Sequence, residues 1–216
     1  LRNMKQITLK RNNSFEAKDY VLKDVKESDF NLLIDENTTI RDEDTGEIIL
    51  VYMKLKEGVD ELRNAIINLK YNKGRRASGL KAYDKIFGYM SRIGFQNDYC
   101  STAGFARENP KNHKIVCDYG DKLGDLYSEM VPEMYDKHSK IVAEKVKPDW
   151  VLGNSPFTSG IINKNNQLNY HFDSGNFKDV FSNMIAFRSK IEGGRLSIPE
   201  YDIGLEIDDS TVTLFD

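Results

Sequence analysis

The stretch NKNNQLNYHFDSGNF, residues 163–177, carries His171 and Asp173 two positions apart. If it is a strand, side chains at i and i+2 project to one face, so the imidazole and the carboxylate converge while Phe172 turns away. A histidine and a carboxylate held in this way are two thirds of the facial triad that binds non-haem iron and leaves three positions open for cosubstrate and dioxygen. By itself the spacing is more often a polar strand end or turn, so its meaning depends on what surrounds it.

Downstream of Pro148 the chain reads as short β-type segments: PFTSGIIN, the HFD strand, DVFSNMIAF, RLSIPEY, IGLEI and STVTLFD. Gly and Asp turns separate them, including Gly193-Gly194 and Asp208-Asp209, a rhythm that predicts an antiparallel sandwich or jelly roll. Upstream, residues 38–54 read as a hairpin closed by Asp44-Thr45-Gly46. Val59, Leu62, Ile66 and Leu69 then share one helical face behind Asp60 as a possible cap. The run from Asn72 to His113, rich in Gly, Arg, Lys and aromatics, reads as long ordered loops with short strands or turns. Helical spacing returns from Tyr119 to about Val146, with Pro132 as its boundary or kink. His138 is expected on a solvated flank of that helix.

These motifs in order, FTSGIINKN, HFDSGNFKDVFSNM and EGGRLSIPEYDIGLEIDDSTVTLFD, resemble the TET/JBP family of iron- and 2-oxoglutarate-dependent DNA-base dioxygenases, most closely its phage-encoded branch. RIGFQNDYCSTAGFARENPKNH and LYSEMVPEMYDKH extend the likeness upstream. The resemblance implies an α+β chain: a double-stranded β-helix (jelly roll) core flanked by helices and an N-terminal β-hairpin region. On that reading residues 1–56 are a β-rich extension packed on the core, and residues 57–216 are the dioxygenase domain. It implies Fe(II) held by His171 and Asp173 as catalytic ligands, 2-oxoglutarate as cosubstrate, and hydroxylation of the C5 methyl group of a pyrimidine, 5-methylcytosine or thymine, in DNA. Asn176 matches a family position that contacts the target base, since its amide offers both a donor and an acceptor. Asn163 and Asn165 are weaker substrate-pocket candidates on the preceding strand. Two other readings stay open: a dioxygenase of this class acting on a protein or small molecule, and a non-catalytic DNA-binding module derived from the fold.

Double-stranded DNA as partner agrees with the charge pattern. The net charge is -3, yet residues 61–120 hold 11 basic and 5 acidic side chains, against 20 and 29 in the remainder. A basic middle third in an acidic background suggests a surface that faces a polyanion. Lys73, Arg75 and Arg76 are the leading phosphate contacts, supported by Lys81, Lys85 and Arg92. Tyr83, Phe87 and Tyr89 either stack near an extruded base or fill the core.

The family pattern departs from this sequence at one end. It has a second histidine beyond the LFD strand and then a basic residue for the distal carboxylate of 2-oxoglutarate. The sequence stops at Asp216, so the third ligand is expected beyond it, and a jelly roll ending there would leave unpaired edges. His113 has no family support as that ligand, and Arg188 and Arg195 do not stand at the family's basic position. Length and composition fit one globular domain with a small N-terminal subdomain. No run of 18 apolar residues and no signal-peptide pattern occurs, so no membrane partner is expected and the expected compartment is the cytoplasm of a bacterium or phage-infected host. Cys100 and Cys117 stand alone and are expected as reduced, buried thiols.

Overall fold

The computed structural model describes residues 3–76, 78–91, 100–173 and 175–216. In chain order its strands are β1 (Lys5–Leu9), β2 (Leu32–Ile34), β3 (Thr38–Asp42), β4 (Ile48–Lys54), β5 (Asn72–Arg75), β6 (Lys81–Ser91), β7 (Cys100–Thr102), β8 (Ser159–Asn163), β9 (Ser182–Ala186), β10 (Leu196–Ile198), β11 (Ile203–Leu205) and β12 (Thr211–Phe215). Its α-helices are α1 (Asp60–Ile67), α2 (Gly104–Glu108), α3 (Pro110–Met130) and α4 (Pro132–Lys145). The chain is mixed α+β and divides into two compact units, one of residues 1–57 with 167–216 and one of residues 58–166. Residues 1–57 therefore share their unit with the C-terminal strands.

The first unit holds a five-stranded sheet in the order β1-β3-β4-β12-β9 and a three-stranded sheet β10-β11-β2. The hairpin β3–β4 forms where the Asp44-Thr45-Gly46 turn predicts it. Asp42 Oδ1 accepts the amides of Asp44 and Thr45, each at 2.8 Å, and Gly46 takes a φ of 71°. Ile34, Ile40, Leu50, Tyr52, Ile203, Leu205 and Ile207, drawn from both sheets and the turn after β11, form one core. The edges expected of a jelly roll that ends at TVTLFD fall at β1 and β9 among the described residues, not at TVTLFD itself. β12 is an interior strand, antiparallel to β4 on one side and β9 on the other, with Val212 and Leu214 wholly buried. Among the described residues the strands make three separate sheets rather than a closed barrel.

The second unit wraps helices around the long strand β6, which pairs with β5, β7 and β8, all antiparallel. Three expectations change here. The run expected to be loops with short strands or turns holds the eleven-residue β6 and the helix α2, and α3 begins nine residues before Tyr119. Asn109 sets that start: its side chain accepts the Asn112 amide at 3.1 Å, and Pro110 fills the first helical turn, where a missing N–H costs nothing. Asp60 is the first residue of α1 rather than its cap, which is Val59. The break at Pro132 stands where its missing amide puts it.

Candidate functional site

The segment before His171 is pinned to residues 20–29 by backbone and side-chain bonds. Leu22 N–H donates to Tyr170 O at 2.8 Å, and Tyr170 N–H donates to Lys23 O at 3.1 Å. The Tyr170 hydroxyl lies 2.7 Å from Ser197 Oγ and 3.0 Å from Asp29 Oδ2, and its ring meets Tyr20 edge-on. Burial is the main reason its phenol is pushed up to about 12. Asn169 Nδ2 donates to Asp24 Oδ1 at 2.7 Å. These two short contacts with a non-repetitive partner take the place of a sheet ladder, so the expected HFD strand is absent and residues 171–173 form an exposed loop. Phe172 is 71% exposed.

The loop nevertheless brings the pair together. His171 Nε2 lies 3.4 Å from Asp173 Oδ1. His171 Nδ1 sits 2.7 Å from the Asn169 carbonyl, which can only accept, so Nδ1 carries the proton. With the Asn169 carbonyl holding the proton at Nδ1, Nε2 is the ring nitrogen that faces the carboxylate, and the space between Nε2 and Oδ1 takes a proton or a cation. Cis ligands of one metal ion at bonds of about 2.1 Å stand about 3 Å apart, so the separation suits a shared ion, and Nδ1–H bound to a carbonyl is the usual support for a metal-bound imidazole. The pair fits two ligands of an iron site. Among the described residues no group of three or more His, Cys, Asp or Glu stands where it could hold a metal, so a third protein donor does not join them.

The other expected site residues divide by environment. Asn176 is exposed and its Nδ2 donates to Ser182 Oγ at 3.0 Å, beside Gly175 with a φ of 101°. Asn163 and Asn165 belong to the second unit and His171 to the first. Asn163 Oδ1 accepts from Arg76 Nη2 at 3.2 Å and Asn166 Nδ2 at 2.9 Å, and Asn165 takes the left-handed conformation of a turn, with a φ of 51°. Both have local structural work. Arg188 and Arg195 are likewise committed: Arg188 gathers the carbonyls of Ile207, Ile191 and Gly193, and Arg195 pairs with Glu206 and Glu27.

Among the basic residues, Lys73, Arg75 and Lys81 are exposed on the β5–β6 hairpin. Arg76 is half-buried and spends its guanidinium on Asn163. Lys85 is corrected: only 4% exposed, it lies over the Phe105 ring and pairs with Glu108, so it is a core cation rather than a phosphate contact. Arg92 lies outside the described residues.

The remaining histidines are structural. His138, expected in solvent, is 6% exposed among Tyr127 and Phe157, and burial lowers its pKa to about 4. An apolar face one turn wide had room for it, a detail that charge pattern alone hides. His113 Nε2 accepts the Gly88 amide at 3.0 Å, which removes it as a ligand, and burial raises the neighbouring Cys117 thiol to about 11. Sequence reasoning missed the supports of the site, Asp24, Asn169 and Tyr170. The one signal for them was polar and aromatic residues immediately before the HxD pair.

No family model matches the chain, and no curated protein matches it. Among solved structures, NgTET1 in complex with 5mC DNA superposes with a TM-score of 0.39 and 11% identity, over 85% of this chain and 72% of that one. The likeness is too slight to assign a fold or an activity. Among the described residues, no helix is long and apolar enough to cross a membrane.

Proposed function

We propose that the chain is the Fe(II)- and 2-oxoglutarate-dependent part of a dioxygenase that hydroxylates the C5 methyl group of a pyrimidine in DNA. The observation that carries this reading is the His171–Asp173 pair, Nε2 to Oδ1 at 3.4 Å, with the imidazole tautomer set by the Asn169 carbonyl. The order of motifs around HFD in the sequence supports it, and on this reading the two β-sheets of the first unit correspond to the double-stranded β-helix of such enzymes. When bound, Fe(II) supplies a centre at which one oxygen atom of O2 goes to succinate, formed from 2-oxoglutarate with loss of CO2, and the other to the substrate hydroxyl.

His171 and Asp173, both exposed, would hold the metal, and the Asn169 carbonyl keeps the His171 proton on Nδ1. Asn176, three residues on and exposed, offers its amide to the edge of a base drawn out of the duplex. Extrusion is required because a methyl group inside the stack cannot reach a protein-bound ion. The reading asks for a third protein ligand, which the described residues do not add to the pair.

Succinate release tests it. The protein is given Fe(II), 2-oxoglutarate and one of three duplexes: one with 5-methylcytosine, one with thymine as its sole 5-methyl base, and one with uracil in place of thymine and no methylcytosine. Release above the uracil control with either methylated duplex is expected. Equal release with all three contradicts the reading.

A further inference from the structure

The hairpin β5–β6 and its neighbour β8 sort their charges by face. In the register, Lys73 stands opposite Tyr83 and Arg75 opposite Lys81, while Asn72 stands opposite Asp84 and Asp84 opposite Asn163. Directly paired residues share a face and successive residues along a strand do not, so Lys73, Arg75, Lys81 and Tyr83 lie on one side and Asp84 on the other. Lys164 N–H donates to Tyr83 O at 2.9 Å, which places Lys164 beside Tyr83 in the same row, and its ammonium lies 5.4 Å from the Tyr71 ring centre. The far end of this face is closed, since Lys85 is buried against Phe105 and Phe87 fills the space beside Gly160. The near end, at the hairpin tip, is open.

The open end is electrostatically awkward. The N–H and C=O of Tyr83 both point to the β8 side, to Asn166 and Lys164, so Tyr83 and Lys73 form a non-hydrogen-bonded pair. Two residues along, Arg75 and Lys81 form the next such pair, the closer-set kind in an antiparallel ladder. Like charges facing one another there destabilise the hairpin. Arg75 Nη1 donates to Gly79 O at 3.0 Å, which holds the guanidinium at the turn, and among the described residues no carboxylate pairs with Lys73, Arg75 or Lys81. A polyanion supplies the missing counter-charge.

We propose that Lys73, Arg75, Lys81 and Lys164, grouped around Tyr83, dock the phosphate backbone of duplex DNA. The proposal rests on the DNA substrate proposed above and names the element that grips it. A protein partner is disfavoured because an interface core is built on buried aromatic or aliphatic anchors, whereas this patch is permanent cations around a half-buried tyrosine. Backbone phosphates need only charge and hydrogen-bond donors, and both are present.

The test measures binding of the whole chain to a fluorescein-labelled 20-bp duplex across a salt series, without Fe(II) or 2-oxoglutarate. The K73A/R75A/K81A variant is compared with a K137A/K140A/K145A control that removes the same charge from α4, and with a K73R/K81R variant that keeps it. The expected slope of log affinity against log salt shrinks by about three for the hairpin variant, at about 0.9 per phosphate contact, and is unchanged in the other two. An unchanged slope in the hairpin variant overturns the proposal. So does an equal loss in the α4 control, or tight binding of a polyglutamate peptide by a protein with no affinity for the duplex. A protein that grips DNA through the hairpin yet never oxidises it contradicts the proposed reaction alone. One that oxidises DNA while the hairpin variant binds like wild type contradicts this proposal alone.

Discussion

His171 Nε2 faces Asp173 Oδ1 at 3.4 Å because the Asn169 carbonyl, 2.7 Å from Nδ1, turns the ring and fixes its proton. Metal affinity should therefore depend on both residues and on their support. By anaerobic calorimetry with Fe(II), H171A and D173A are each expected to lose binding by about a hundredfold or more. N169A, which frees the loop from Asp24, is expected to lose about tenfold, the usual range for an outer partner of a ligand. Wild-type affinity in D173A would remove the pair from the site.

Burial of His138 makes a pH prediction. Its pKa in the folded chain is lowered to about 4, against an ordinary value of about 6.5 in the unfolded chain. Between those values the unfolded chain binds the proton and the folded chain does not, so stability is full above about pH 6.5 and falls as the pH drops toward 4. Unfolding free energies from urea melts across this window should decline by about 3 kcal/mol in wild type, with a flatter profile in H138L. Parallel profiles for the two proteins would contradict the buried, neutral assignment.

Gly88 is a position where only glycine fits. Its φ is 81°, and a Cβ there would stand 2.5 Å from Thr158 O and 2.9 Å from Ser159 Cα, both backbone atoms of the adjoining strand region. Neither can swing aside. G88A is expected to cost about 3 kcal/mol from the strained backbone and the overlap together, read from chemical denaturation.

Leu22 shows the opposite situation. It holds a φ of 68° while 60% exposed, so its side chain returns little burial for a left-handed backbone. Its amide bond to Tyr170 O survives any substitution except proline. L22G is expected to raise stability by about 1 kcal/mol, with no change in metal affinity. A lower melting temperature would show that the exposed side chain has a packing role.

The elements legible in the sequence are those whose signal is local. The β3–β4 hairpin announced itself through the β-rich run Ile48–Lys54 and Asp44-Thr45-Gly46, and the α3–α4 break through Pro132. The hairpin of β5 and β6 was obscured because Gly74, Gly79 and a high density of Lys and Arg imitate a loop, while β6 finds its further partner in β8, about 75 residues away. The start of α3 was written in Asn109-Pro110 but masked by the polar run around it. For the site, spacing was enough to bring His171 and Asp173 together, though through a pinned loop instead of a strand. Burial of Lys85 and His138 comes from partners on neighbouring elements, Glu108 with Phe105 and Tyr127 with Phe157, whose contacts leave no periodic trace in the sequence.

The most direct test of the central claim is the mass of nucleosides digested from a 5-methylcytosine duplex after incubation with the protein, Fe(II), 2-oxoglutarate and ¹⁸O-labelled dioxygen. The account predicts a 5-hydroxymethyl pyrimidine nucleoside carrying one ¹⁸O atom, absent with H171A or D173A. The same labelled product from H171A or D173A, or no oxidised pyrimidine from a wild-type protein that binds Fe(II), would contradict it.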